Sequence, residues 1–219
     1  MSEFSEIEEM YLKTIFEVHM ESPGEIVKTT QLADLMELSA ASVTEMIQRL
    51  ALREMITHIP YRGCRLTTDG FQLAARIKRR EGLLEVLLRD VIGFGGDVKG
   101  VACKMEHAVG IELEEALDRL LGYPETTITG QRIPSVERDF GTVGVGTLLP
   151  IRSLPEGSSA IVEMIVANDV DSFTIKNSGI SVGTSLSVSG GTFTSDGLEI
   201  MLSGSISRRI LARITSMED

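Results

Sequence analysis

The sequence of 219 residues predicts a multidomain chain, mainly α with a β tail. Three observations predict it. Apolar side chains recur at helical spacing from the N-terminus to about residue 120. Two of the early helices are separated by only a short break, and a pair of strand-like runs with a Pro-Tyr-Arg-Gly tip follows them. After Pro150 the helical spacing gives way to short β-like runs punctuated by Gly, Ser, Asn and Asp.

Residues 5–20 read as a helix. Ser5 and Glu8 have the spacing of a capping box, Ile7, Tyr11, Ile15 and Val18 recur on one face, and Ser22-Pro23-Gly24 ends it. Thr30 caps a short second helix carrying Leu32, Ala33, Leu35 and Met36. Ser39 caps a third over residues 40–54, with Val43, Met46, Ile47 and Leu50 inward and Ser42, Thr44, Glu45, Gln48 and Arg49 outward. Residues 56–59 and 64–67 form a two-stranded wing around Pro60-Tyr61-Arg62-Gly63, and a long helix runs from Thr68 to about Arg89. Helix-helix-helix-hairpin-helix is the order of a winged helix-turn-helix, which lays its recognition helix in the DNA major groove. The candidate contacts to double-stranded DNA are Ser39, Ser42, Thr44, Gln48 and Arg49 on that helix and Tyr61, Arg62 and Arg65 in the wing.

Gly93-Phe94-Gly95-Gly96 breaks the long helix, and residues 97–109 and 111–121 read as two more, ended by Gly122-Tyr123-Pro124. Val98, Val101, Ala102, Met105 and Val109 form an apolar stripe, which predicts burial against a second copy, a homodimer. Residues 126–147 read as a linker. The β-like runs at 160–166, 173–175, 185–189, 198–201 and 206–214 predict a small barrel of about five strands. The expected domains are 1–72, 73–140 and 148–219.

A net charge of −11 is unusual for a DNA binder, but residues 41–80 carry 8 basic against 3 acidic side chains, and a local basic face suffices. Arg76, Lys78, Arg79 and Arg80 read either as part of that face or as the solvated side of the long helix. Two cysteines, Cys64 and Cys103, argue against a disulfide framework. No charged-then-apolar leader is evident and no apolar run approaches the ~18 residues of a membrane helix, so a cytoplasmic protein without a membrane partner is expected. No small organic substrate is expected.

Cys103, Glu106 and His107 stand at i, i+3 and i+4, which on a helix puts a thiol, a carboxylate and an imidazole on one face. A borderline-soft transition metal takes all three donor types. Taken singly, each has a plain structural reading: Cys103 as a small buried hydrophobe, His107 as a structural histidine, Glu106 as surface. Met10 reads equally as core and as a thioether fourth ligand.

Glu9-Met10-Tyr11-Leu12-Lys13-Thr14-Ile15, residues 39–50, Asp90-Val91-Ile92-Gly93 and residues 102–107 together resemble the diphtheria toxin repressor family of iron- and manganese-dependent regulators. The resemblance covers about residues 5–135. Residues 148–151, 178–183 and 209–214 in turn resemble the SH3-like domain of its iron-type members. It implies a primary metal site of Met10, Cys103, Glu106 and His107 that joins the first helix to the dimerisation helices. Manganese-type members place carboxylates where Met10 and Cys103 stand, so the sulfur donors imply Fe2+, with Co2+, Ni2+, Zn2+ or Mn2+ substituting in vitro. It implies a second site as well, built from Glu81, Glu85 and Asp169. This chain departs there: Glu81 and Lys99 replace histidines and Ser172 replaces an amide. Glu81 and Glu85 therefore stand either as ligands or as a solvated i,i+4 pair. Glu45 also replaces an amide in the recognition helix, so the family's operator sequence is not carried over.

The expected function is an iron-activated, DNA-binding transcriptional repressor of metal-ion homeostasis, acting as a homodimer. The alternatives are the same switch answering to manganese or zinc, a metal-independent DNA-binding protein with Cys103 and His107 in its core, and a di-metal carboxylate enzyme using Glu81, Glu85, Glu106 and His107.

Overall fold

The computed structural model describes residues 4–135, 143–167 and 169–217. The expected linker and the end of the expected helical domain fall partly outside the described residues. The chain divides into two compact units. The first comprises Met1–Glu81, Met105–Gly110 and Pro134–Val136; the second comprises Gly82–Lys104, Ile111–Ile133 and Glu137–Asp219.

In the first unit, α1 (Glu6–Glu21) starts on the predicted capping box: Ser5 Oγ accepts from the Glu8 N–H, and Glu8 Oε2 accepts from the Ser5 N–H at 2.9 Å. α2 (Thr29–Met36) ends on Glu37 in the left-handed conformation. α3 (Ala40–Leu52) starts on Ser39, whose hydroxyl accepts from the Ser42 N–H at 3.1 Å. The wing is β1 (Ile56–Ile59) paired antiparallel with β2 (Gly63–Leu66). Val27 adds a bridge to Cys64, and a Cβ on Gly63 would come within 2.0 Å of the Val27 carbonyl oxygen, so this closure needs glycine. Tyr11, Leu12, Ile15 and Phe16 of α1 join Leu32, Val43, Ile47, Leu50, Ile56 and Cys64 in one core. Ile7, expected on the buried stripe, is exposed. It lies in the first turn, before the helix reaches that core.

The helix after the wing is α4 (Thr68–Val86), which passes into a π-helical turn at Leu87–Val91. Of the basic run on it, Arg79 and Arg80 are 1% and 7% exposed. Those two belong neither to a DNA face nor to a solvated side; Arg79 Nη1 donates to the Pro134 carbonyl at 3.0 Å. Of the two readings of Glu81 and Glu85, as ligands or as a solvated pair, burial of both removes the second.

α5 (Val98–Met105), which belongs to the second unit up to Lys104, gives way to a 3-10 turn at Glu106–Ala108, which belongs to the first; the helix is shorter than the single one expected to Val109. α6 (Ile111–Leu120) leaves Ile111 and Leu113 exposed. The tail is a six-stranded antiparallel sheet rather than five strands. It comprises β3 (Leu148–Pro150), β4 (Ser158–Ile165), β5 (Ser185–Ser189), β6 (Thr192–Ser195), β7 (Leu198–Ile200) and β8 (Ile210–Met217), in the order β3-β8-β4-β5-β6-β7. This is the SH3-like domain. Leu186 and Val188 alternate with exposed serines along β5, as a sheet with one buried face requires. The expected strand at 173–175 is instead part of a helix, α7 (Asp169–Asn177). Its aromatic and β-branched residues mimic a strand, but of Phe173, Thr174 and Ile175 it is Ile175 that is deeply buried, while Phe173 is exposed. Gly179 at φ +78° ends it, with the Ile180 N–H reaching back to the Ile175 carbonyl. The expected run at 206–214 is split: its start lies in the short α8 (Gly204–Ser207). Among the described residues no helix is long and apolar enough to cross a membrane.

Candidate metal centre and nucleic-acid interface

One face of α1 is apolar and buried in the core of the first unit. Part of its other side is charged and buried as well: Glu8, Glu9 and Lys13 are 1%, 1% and 6% exposed. Burying charge requires partners. Lys13 Nζ donates to Glu106 Oε1 at 2.5 Å and lies 3.5 Å from Glu81 Oε1. Lys78 Nζ donates to Glu81 Oε2 and to Glu17 Oε1, each at 2.6 Å. Burial works to lower the Lys78 ammonium, but the hydrogen bonds and charges of Glu17 and Glu81 outweigh it and raise its pKa.

Glu106 and His107 come together here. His107 Nδ1 lies 2.6 Å from Glu9 Oε2, and His107 Nε2 lies 3.6 Å from Glu106 Oε1. A carboxylate only accepts, so Nδ1 carries a hydrogen toward Glu9. Glu106 is fully buried, and its Oε2 has no hydrogen-bond partner among the described residues. Burial pushes the Glu106 carboxyl up to about 7, against the hydrogen bond and charge of Lys13, while the Glu81 charge adds to the rise and His107 opposes it. An unpartnered, fully buried carboxylate oxygen beside an imidazole whose other nitrogen is held by a carboxylate is a donor set that fits a divalent cation. Among the described residues no group of three or more His, Cys, Asp or Glu side chains is already placed to hold one.

The other predicted ligands fall as follows. Met10 lies on α1, 41% exposed. Cys103, on α5, and Glu85 belong to the second unit, with Cys103 half-buried. Asp169 begins α7, and its side chain lies outside what is described. Cys64 is no candidate, because burial pushes its thiol up to about 12. Glu9, Glu17 and Lys13 escaped the sequence reading. Their signal was the i,i+4 alternation Glu9-Lys13-Glu17, which also describes an ordinary solvated helix face.

The predicted DNA-contacting residues cluster on the surface of the first unit. Ser39, Ser42, Gln48 and Arg49 are exposed on α3 or its cap, and Thr44 is half-buried with its hydroxyl turned back to the Ala40 carbonyl. Tyr61 and Arg62 are exposed at the wing tip, and an open groove is lined by Lys28, Thr29, Thr30, Tyr61, Arg62 and Arg65. Arg49 Nε and Arg53 Nη1 both reach Glu8 Oε1, at 3.1 and 3.0 Å, so α1 is tied to the recognition helix by the residue that also caps it.

Residues 3–64 match the N-terminal DNA-binding domain of the iron-dependent repressors, and residues 67–135 match their metal-binding and dimerisation domain. The chain belongs to the iron-dependent repressor family. It is therefore a metal-dependent, DNA-binding regulator, and the family is one of repressors, not enzymes. The iron-dependent repressor IdeR of Mycobacterium leprae is 29% identical over 192 residues, covering 82% of each chain. The diphtheria toxin repressor of Corynebacterium efficiens is 29% identical over 205 residues, covering 86% of this chain and 85% of its own. The crystal structure of T. acidophilum IdeR has the same fold, with a TM-score of 0.51 at 23% identity over 98% of this chain and 100% of that one.

Proposed function

We propose that this iron-dependent repressor family member is an iron-activated transcriptional repressor of metal-ion homeostasis, and that Met10, Cys103, Glu106 and His107 hold the activating Fe2+. The observation that carries the reading is the buried, unpartnered Glu106 Oε2 beside the His107 imidazole. Two sulfur donors among the four candidates favour Fe(II), Co(II), Ni(II) or Zn(II) over Mn(II).

When bound, the ion would be held by Met10, Cys103, Glu106 and His107 and would supply a fixed positive charge among them. The chain's own residues do the rest. Glu9 orients His107. Glu8 joins α1 to Arg49 and Arg53 of the recognition segment, so a change in the order of α1 is felt where DNA is read. Holding the ion would favour a DNA-competent state that the chain already samples. The three parts 1–72, 73–140 and 148–219 read duplex DNA, dimerise and bind metal, and add the SH3-like tail. Ile111 and Leu113, exposed on α6, support a homodimer through the middle part. The protein acts in the cytoplasm, where its operator is.

The test is anaerobic binding to operator-length duplex DNA, titrated separately with Fe(II), Mn(II) and Zn(II) and with a chelator. Tight binding in Fe(II), lost in chelator, is expected. Equal affinity in both sinks the switch.

A further inference from the structure

Resting on the reading that the activating ion binds at Glu106, we infer that this chain fills its second metal position with its own lysines and loads a single ion per protomer. Glu81, which stands in the place of a ligand for a second ion, is 2% exposed and engaged at both oxygens. Lys13 Nζ is 3.5 Å from its Oε1, and Lys78 Nζ is 2.6 Å from its Oε2. Neither lysine is a loose surface side chain, since their side chains are 8% and 12% exposed.

The groups form a continuous ladder, Glu17–Lys78–Glu81–Lys13–Glu106, each neighbour in contact with the next. With every carboxyl ionised, three negative charges meet two positive ones. The surplus falls at the Glu106 end, where Oε2 has no partner, rather than at Glu81. A dication at Glu81 would have to displace two ammonium groups, leaving Lys13 with Glu106 alone and Lys78 with Glu17 alone and setting both buried cations against the ion, which is unfavourable. A dication at Glu106 Oε2 displaces nothing. Lys13 is then the shared rung: it neutralises Glu81 and holds Glu106 by one oxygen, with the other turned to the ion.

The test uses the full chain under anaerobic conditions with Co(II) as the probe. Bound cobalt is counted by elemental analysis after dialysis, and thiolate-to-Co(II) charge-transfer absorption reports Cys103. The expected result is one Co(II) per protomer with the charge-transfer band, and the same count in Glu81→Gln, whose amide oxygen still accepts from lysine. A second variant, Glu17→Gln, checks the ladder at its exposed end and should also retain one. Two ions in the wild-type chain overturn the inference, as does a single ion lost on Glu81→Gln in a protein with unchanged thermal unfolding. Absence of any bound ion, or one ion without the thiolate band, overturns the parent reading and the inference with it.

Discussion

Glu106 and Glu81 are both buried carboxylates, and both meet Lys13 through one oxygen. Their other oxygens differ. Glu81 Oε2 takes Lys78 at 2.6 Å, whereas Glu106 Oε2 accepts no hydrogen bond among the described residues. A buried acid is therefore not in itself a metal ligand. What distinguishes a candidate is an oxygen left uncompensated where water does not reach it, because that group bears the full desolvation penalty until a cation arrives.

The comparison is broken most directly at the residue common to both. Lys13→Met leaves Glu106 without a cation and Glu81 with only one. Removing one partner of a buried pair costs about 3–5 kcal/mol, so the metal-free variant should lose most of that in urea unfolding. Added Co(II) should recover much of the loss, because the ion replaces the missing charge next to Glu106. A loss below about 1 kcal/mol, the range of exposed pairs, would show that the ladder is not held by Lys13.

The next effect sharpens the Glu106 end. Glu9→Gln keeps an oxygen facing His107 Nδ1 but removes the charge that makes the ring a better donor through Nε2. Substitutions of this kind lower metal affinity about 10–100-fold, and Co(II) titration should show a drop in that range. The Glu81→Gln variant should leave affinity within about twofold, since mutations off the ligand set are normally small. Equal losses in the two variants would erase the distinction between the two carboxylates.

The apolar half of this arrangement was legible in the sequence and the charged half was not. Tyr11, Ile15 and Val18 announce the buried face of α1 through their spacing, and Ser5 with Glu8 announces its start. Glu9, Lys13 and Glu17 have the spacing of a solvated helix face, and periodicity cannot tell that Lys13 is buried until Glu81 and Glu106 are brought against it. Their separations from Lys13 are long-range in sequence, 93 residues for Glu106. The same limit explains Arg79 and Arg80, expected on a surface and found buried. In the tail the error was of another kind. Phe173 and Ile175 favour strands by type, but the helix stop at Ser178-Gly179 was the decisive local signal. β6 was not expected at all, although hairpin dipeptides at positive φ, Gly190-Gly191 and Asp196-Gly197, stand at its two ends.

The smallest predicted effect contrasts the buried ladder with the ion pairs of Glu8 to the recognition segment. Glu8 is itself buried, but its partners are open: the Arg49 side chain is 60% exposed and that of Arg53 28%. Burial alone would raise the Glu8 carboxyl, yet the hydrogen bonds from the Ser5 backbone and side chain and from Arg53, with the Arg53 charge, hold it below its ordinary value of 4.5. A carboxylate whose folded pKa is depressed adds stability above its unfolded pKa and loses it as pH falls through the folded one. Glu8→Gln preserves the capping-box spacing, because glutamine serves at that position, and removes only the charge. Water screens the arginines, so the wild-type advantage at pH 7 should be no more than about 1 kcal/mol. Urea unfolding of both proteins from pH 7 down to pH 3 should show that gap constant to about pH 5 and closing below about pH 4.5. A gap that persists unchanged at pH 3 would mean that Glu8 acts through capping geometry and not through its charge. The link between α1 and the recognition helix would then be steric rather than electrostatic.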